Sequence, residues 1–215
     1  LAQTGASVSS VVENNANKYA ESTELNRYGA RFKYSKFLGI VDQSHDAITS
    51  NITTVTMRRD LRVVLNKISE YSIGFGNQFH IKSMSGFNIK STGFTIDGIS
   101  EPVYISDIPN RTRVTGSLFL FTVPSVNSVS PTIVRRNVGT INYQSGINTL
   151  NPITIRSAKI KDGQSIIELS VPPQSNDVIG LQDLYLQLDI GGSIFDPSSY
   201  KKYTPSGGWL YKRRY

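Results

Sequence analysis

The chain contains no cysteine. That excludes disulfide staples and every thiolate-based site, whether a zinc ligand set or a catalytic thiol. The absence is neutral about compartment, but it argues against a small secreted scaffold held by disulfides. Histidine is nearly absent too, with two residues, His45 and His80. Charged residues make up 18% and hydrophobic residues 38% of the chain, both low for a globular protein. No apolar run approaches the roughly 18 residues that a membrane-spanning helix needs. No signal-peptide pattern is present, and the sequence starts at Leu1 rather than Met. The reading is an ordered or processed piece of something longer.

Ser, Thr, Asn and Gly fill the place of the missing charge and bulk, a composition suited to many strands and many turns. The 215 residues suffice for one large domain or two small ones. The net charge is +7 and the pI about 9.6, values that suit nucleic acid, an acidic partner or an acidic surface. The distribution weakens the nucleic-acid reading. Lys201, Lys202, Lys212, Arg213 and Arg214 crowd the last fifteen positions, and Arg31, Lys33 and Lys36 form a second cluster. Charge runs of this kind are usually solvated faces.

Residues 1–30 are rich in Asn, Ser and Ala. VSSVVENNANKYA could form a short helix, but its apolar stripe is poor, so the segment reads as an arm or linker ordered against a neighbour. Over residues 32–42, Phe37, Leu38 and Val41 fall on one helical face, with Lys33 and Lys36 turned away. A turn, Asp42 to Asp46, leads to an alternating strand with Val55, Met57, Leu61 and Val63 on one side and Thr54, Thr56, Arg58, Asp60 and Arg62 on the other. The next strand is the clearest: Tyr71, Ile73, Phe75, Phe79 and Ile81 alternate with small and polar residues. Eight further strands are expected at 102–105, 116–123, 132–136, 139–143, 147–150, 153–160, 165–171 and 183–190. Gly146 and Asp162-Gly163 mark hairpins. The fold class is therefore α+β, predominantly β. A small helix-turn-strand unit at 31–65 precedes an antiparallel β-sandwich-like domain at 66–195. Extended arms at 1–30 and 196–215 flank them.

The search for chemistry finds none, and the catalytic, cofactor and metal sets are all read as empty. Ser44-His45-Asp46 resembles a triad only as letters, because a working triad gathers its groups from separate elements. No G-x-S-x-G elbow, HExxH, EF-hand loop or phosphate-binding glycine loop is present. His80 falls on the polar side of its strand. Arg31-Phe32-Lys33-Tyr34 and Lys212-Arg213-Arg214-Tyr215 interleave cations with rings as single-strand binders do, yet the first set is needed for packing and the second is a terminus.

The segment RYGARFKYSKFLGIVDQSHDAITSNITTVTMRRDLR resembles the wedge protein of T-even-type contractile phage tails, which belongs with the J-type baseplate proteins. The resemblance rests on Phe32–Phe37, Ile40–Asp42, Asp46–Thr53 and Met57–Arg59, and to a lesser degree on VGTINYQSGINTL at 138–150. It implies a C-terminal portion of a structural virion protein with no enzymatic residues and no cofactor. It also implies a second copy of itself, other wedge subunits, neighbouring wedges and central hub proteins as partners. Neither nucleic acid nor membrane is expected. The setting implied is the tail baseplate, assembled in the host cytoplasm. On this reading the contact candidates are Lys33, Lys36, Arg58, Arg59 and Arg62 as rim charges, and Trp209 and Tyr211 as aromatic anchors. Two alternatives stay open. One is a carbohydrate- or receptor-binding β-domain using Tyr71, Phe75 and Phe79. The other is a basic nucleic-acid-binding module.

Overall fold

The computed structural model describes residues 5–123, 130–180, 186–190, 193 and 195. The chain divides into two compact units, Leu1–Thr53 with Gly180–Tyr215, and Thr54–Ile179. The first contains helix α1 (Gly5–Ala20), the short strand β1 (Arg31–Phe32) and helix α2 (Tyr34–Asp42). The division near residue 54 falls inside the segment read as one helix-turn-strand unit, so α2 and the strand that follows it lie in different units.

The segment expected as an arm is thus a sixteen-residue helix. Its stripe is Val12, Ala16 and Tyr19, all buried and spaced four and three apart. A central alanine makes the stripe faint in the sequence, although it lets the helix approach closely. Tyr19 meets Phe32 and Phe37 with ring centroids 6.4 and 6.2 Å away, and Phe32 meets Phe37 at 5.5 Å. Such tilted pairs add to plain area burial. Helix α2 begins two residues later than its apolar spacing suggests, since Arg31 and Phe32 are extended. Phe37 is its buried residue, and Leu38 and Val41 are half-buried.

The second unit holds strands β2 (Met57–Arg62), β3 (Ile68–Gly74), β4 (Lys90–Ser91), β5 (Phe94–Ile96), β6 (Ile99–Pro109), β7 (Thr115–Thr122), β8 (Thr132–Asn142), β9 (Ile147–Ser157), β10 (Lys159–Lys161), β11 (Gln164–Val171) and β12 (Val178–Ile179). The protein is α+β and mostly β, as expected, but the main sheet is barrel-like rather than an open sandwich layer. Strand β9 pairs with β8 through Ile147–Leu150 and with β5 through Ile155 and Ser157. Strands β5, β6, β7 and β8 pair in succession, so five strands form a closed circuit, and β3 adds to β9 as well. Closure requires strands long enough to serve two neighbours. The sequence pattern breaks β8 and β9 in two because Asn137 (φ 54°) and Pro152 interrupt the apolar alternation. Asn137 instead marks an irregular stretch inside one strand, bonded by the Asn151 amide at 3.1 Å.

The second sheet has the order β10-β11-β2, with β4 also on β11. Leu61, Ile167, Leu169 and Val171 are buried in this sheet, as are Tyr71, Ile73, Ile105, Leu118 and Leu150 in the first. Both hairpin signals hold. Gly146 (φ 68°) closes β8–β9, and Asp162 and Gly163, both with positive φ, close β10–β11 as a type I′ turn requires. In the expected strand at 183–190, the described residues Leu186–Ile190 are not strand. The remainder of that segment and the tail 196–215 lie outside the described residues.

Two buried polar features stand out in the second unit. Asp107, fully buried, accepts from the backbone N–H groups of Asn88 and Ile89 at Oδ1, each at 2.8 Å. Its Oδ2 accepts from Asn88 Nδ2 at 2.8 Å and from the Tyr143 hydroxyl at 2.5 Å. The carboxylate thereby ties the 83–89 loop and the β8–β9 turn to strand β6. Asn148 is the opposite case. It is 2% exposed, neither side-chain polar atom has a hydrogen-bond partner among the described residues, and it lines a cavity of about 10 Å³ with Leu61, Ile73 and Leu169. Replacing an orphaned amide with leucine removes a desolvation penalty of about 1–3 kcal/mol at similar volume. Asn148→Leu is therefore expected to raise the denaturation midpoint, measured by urea titration followed by circular dichroism.

Candidate interaction surface

The outer face of the second sheet gathers charge from four strands. Side chains alternate along β2, so Arg58, Asp60 and Arg62 share the face opposite to Met57 and Leu61. The register then places Ser170 and Lys90 beside Arg58, Glu168 beside Asp60, and Ile166 and Lys159 beside Arg62. Lys161 completes the set by reaching Asp60 Oδ2 at 2.6 Å, and Lys159 reaches Glu168 Oε1 at 2.8 Å. Five cations (Arg58, Arg62, Lys90, Lys159, Lys161) thus surround two carboxylates (Asp60, Glu168), and 5 − 2 leaves a net +3. The bond to Asp60 holds the Lys161 ammonium above its ordinary pKa. Exposed pairs of this kind contribute little to stability. They fix side-chain positions on a basic face suited to an acidic surface.

Of the residues singled out in the sequence, Arg58 and Arg62 lie on this face and are exposed. Arg59 does not. It is half-buried on the core side of β2, and its guanidinium donates to the Gly74 carbonyl at the end of β3. That contact straps the two sheets together. Lys33 and Lys36 belong to the first unit and are exposed. Lys36 pairs with Glu24 and lies over the Tyr19 ring, 5.6 Å from its centroid. Their mutual hydrogen bond raises the Lys36 pKa and lowers that of Glu24. Trp209 and Tyr211 lie outside the described residues. Lys90, Lys159 and Lys161 went unnoticed in the sequence, since only strand pairing brings them beside β2. A visible signal was the alternation Lys159-Ile160-Lys161 before the Asp162-Gly163 turn.

The Ser-His-Asp run is a joint. Ser44 Oγ donates to the Ile40 carbonyl at 2.6 Å and accepts from Asn15 of α1 at 3.0 Å, fastening the end of α2 to its neighbour. His45 Nδ1 accepts from the Ala47 N–H at 2.9 Å. Asn51 then bridges back to Asp42 at 2.5 Å, and the Tyr34 hydroxyl donates to the Thr53 carbonyl at 2.8 Å. His80 is exposed, with Nδ1 3.3 Å from Gln174 Oε1. Tyr71, Phe75 and Phe79 are 8%, 5% and 3% exposed, so the aromatic row that suggested a sugar platform is core. Among the described residues no group of three or more His, Asp or Glu is placed to hold a metal, and no helix is long and apolar enough to cross a membrane.

The second unit thus presents a charged sheet face over a packed β interior. Comparison with known families bears on the role of the chain. Residues 1–60 match the family model for baseplate structural protein gp6, C-terminal domain III. The match supports a structural protein of the phage tail baseplate and suggests a non-enzymatic role. It spans the Phe32–Phe37 and Met57–Arg59 segments, whereas the 138–150 hairpin lies outside it. The chain matches no curated protein.

Proposed function

We propose that the chain is a subunit of a contractile phage tail baseplate. It builds the inner wedge ring by self-association and by contacts with other wedge subunits and with hub proteins. The observation that carries this reading is the gp6-type match over residues 1–60. The basic sheet face of the second unit and the Lys33–Lys36 side of α2 supply rim charges for register with acidic neighbours. Trp209 and Tyr211 serve as anchors in a neighbour's pocket. The protein resides in the virion after assembly in the host cytoplasm.

The test is mass measurement by light scattering across a concentration series, alone and mixed with the other wedge subunits of the same phage. Self-association and co-elution are the expected results. A strict monomer at high concentration that binds no wedge subunit contradicts the reading.

A further inference from the structure

Strand β2 is the last strand of its sheet, and it runs against β11 from Met57 to Arg62 in unbroken register. The Val63 N–H donates to the Ser165 carbonyl of β11 at 3.0 Å. By alternation Leu61, Arg59 and Met57 also face β11, while Arg58, Asp60 and Arg62 direct their N–H and C=O groups away from it. Among the described residues no strand pairs with that outer edge. The edge stops at Val64, whose N–H and carbonyl both meet the Tyr71 hydroxyl, at 3.2 and 3.3 Å. A regular open edge invites another strand, and its charges decide which strand is accepted.

We propose that this edge takes β2 of a second copy, antiparallel about a two-fold axis through Leu61. The proposal deepens the self-association described above and rests on that reading. Only a register centred on a residue keeps the faces matched, because a pairing centred between residues sets apolar side chains against polar ones. Centring on Arg58 or Arg62 sets arginine on arginine at the axis. Centring on Asp60 opposes Asp60 to Asp60 once and Arg58 to Arg62 twice, so six charges meet in three like pairs. Centring on Arg59 sets Arg58 opposite the partner's Asp60 twice, but it opposes Arg59 to itself at the axis, with each guanidinium already held by Gly74. Centring on Leu61 sets Leu61 on Leu61 and Asp60 opposite the partner's Arg62, twice over, with no like charges opposed. In that register Asp60 and Arg62 are the outward-facing residues, so each opposed pair exchanges two main-chain hydrogen bonds. The sequence MRRDLR is self-complementary in one register and repulsive in its neighbour, which is how an interface between identical chains fixes its alignment.

Reversal of single charges on the whole chain tests this, read by sedimentation equilibrium with folding checked by circular dichroism. Asp60→Arg opposes Arg to Arg62 at two places, and Arg62→Asp opposes Asp to Asp60 at two places. Each is expected to weaken dimerisation by about tenfold or more. The double variant Asp60→Arg/Arg62→Asp restores opposite charges across the axis and is expected within about threefold of wild type. It lacks the Asp60–Lys161 bond just as the first single variant does, so recovery reports the interface rather than the fold. Single variants that dimerise normally, or a double variant as weak as the singles, overturn the pairing and leave self-association standing. A strictly monomeric wild type overturns both.

Discussion

Asp107→Asn is expected to lower the stability of the β unit by about 2–3 kcal/mol, the range for losing hydrogen bonds to a charged group. The four donors that converge on Asp107 are all neutral: two backbone N–H groups, the Asn88 amide and the Tyr143 hydroxyl. An asparagine keeps one oxygen for the backbone pair, and its new amide nitrogen then faces the Asn88 nitrogen, donor against donor. Thermal unfolding should show a midpoint lower by roughly 5–10 °C. The same cluster gives the fold an alkaline limit. Burial, then the bond to Asp107, pushes the Tyr143 pKa well above its ordinary value. A raised folded pKa means that the stabilisation is complete below the unfolded value and is lost as pH climbs above about 10. Tyr143→Phe should flatten that alkaline slope, although it also removes one donor from Asp107. A midpoint unchanged in Asp107→Asn would show that the loop does not depend on the carboxylate.

Gly146→Ala should be the more damaging change, by about 3 kcal/mol or more. Two costs coincide there. The residue has φ 68°, and an added Cβ would stand 2.1 Å from the Asn77 carbonyl oxygen. Asn77 cannot yield readily, since its side chain exchanges hydrogen bonds with Ile179 at 2.8 and 2.9 Å. Gly98→Ala is the matched control. It has φ 81° with nothing within 4 Å of the added atom, so it carries the backbone cost alone, about 1–2 kcal/mol. Equal midpoints for the two variants in urea would remove the steric argument.

How much of this could be read in advance depended on whether the cause was local. Strand faces were legible wherever period-two alternation survived, as in Tyr71 and Ile73, although that alternation runs on to Ile81 while the strand ends at Gly74; the tight turns were legible through Gly146 and Asp162-Gly163. The α1 stripe was hidden by its central Ala16. The barrel-like closure was hidden because the unity of β8 and β9 depends on distant partners, as in Thr95 against Ser157 and Ile68 against Thr154, separations no window along the chain spans. The basic face was partly visible, through Arg58 and Arg62, because alternation predicts which side they occupy. Lys90, Lys159 and Lys161 needed the register of β11, a property of the pairing and not of any one strand. Arg59 was misplaced because a half-buried arginine reaching a carbonyl looks, in sequence, like any other strand cation.

The first unit draws on both ends of the chain. Gly180 donates to the Ala30 carbonyl at 2.7 Å, Ser9 donates to the Phe195 carbonyl at 3.0 Å, and Ile190 is buried. The β unit between them is continuous, from Thr54 to Ile179. Order of synthesis and order of completion therefore differ. As the ribosome emits the chain, the α1–α2 pair appears first yet must wait, half-built, until the segment from Gly180 onward emerges. The middle unit has every residue it needs by then. A stalled or truncated nascent chain would present a finished β unit beside an unfinished helical one, with the aromatic cluster of Tyr19, Phe32 and Phe37 as the surface most in need of chaperone cover.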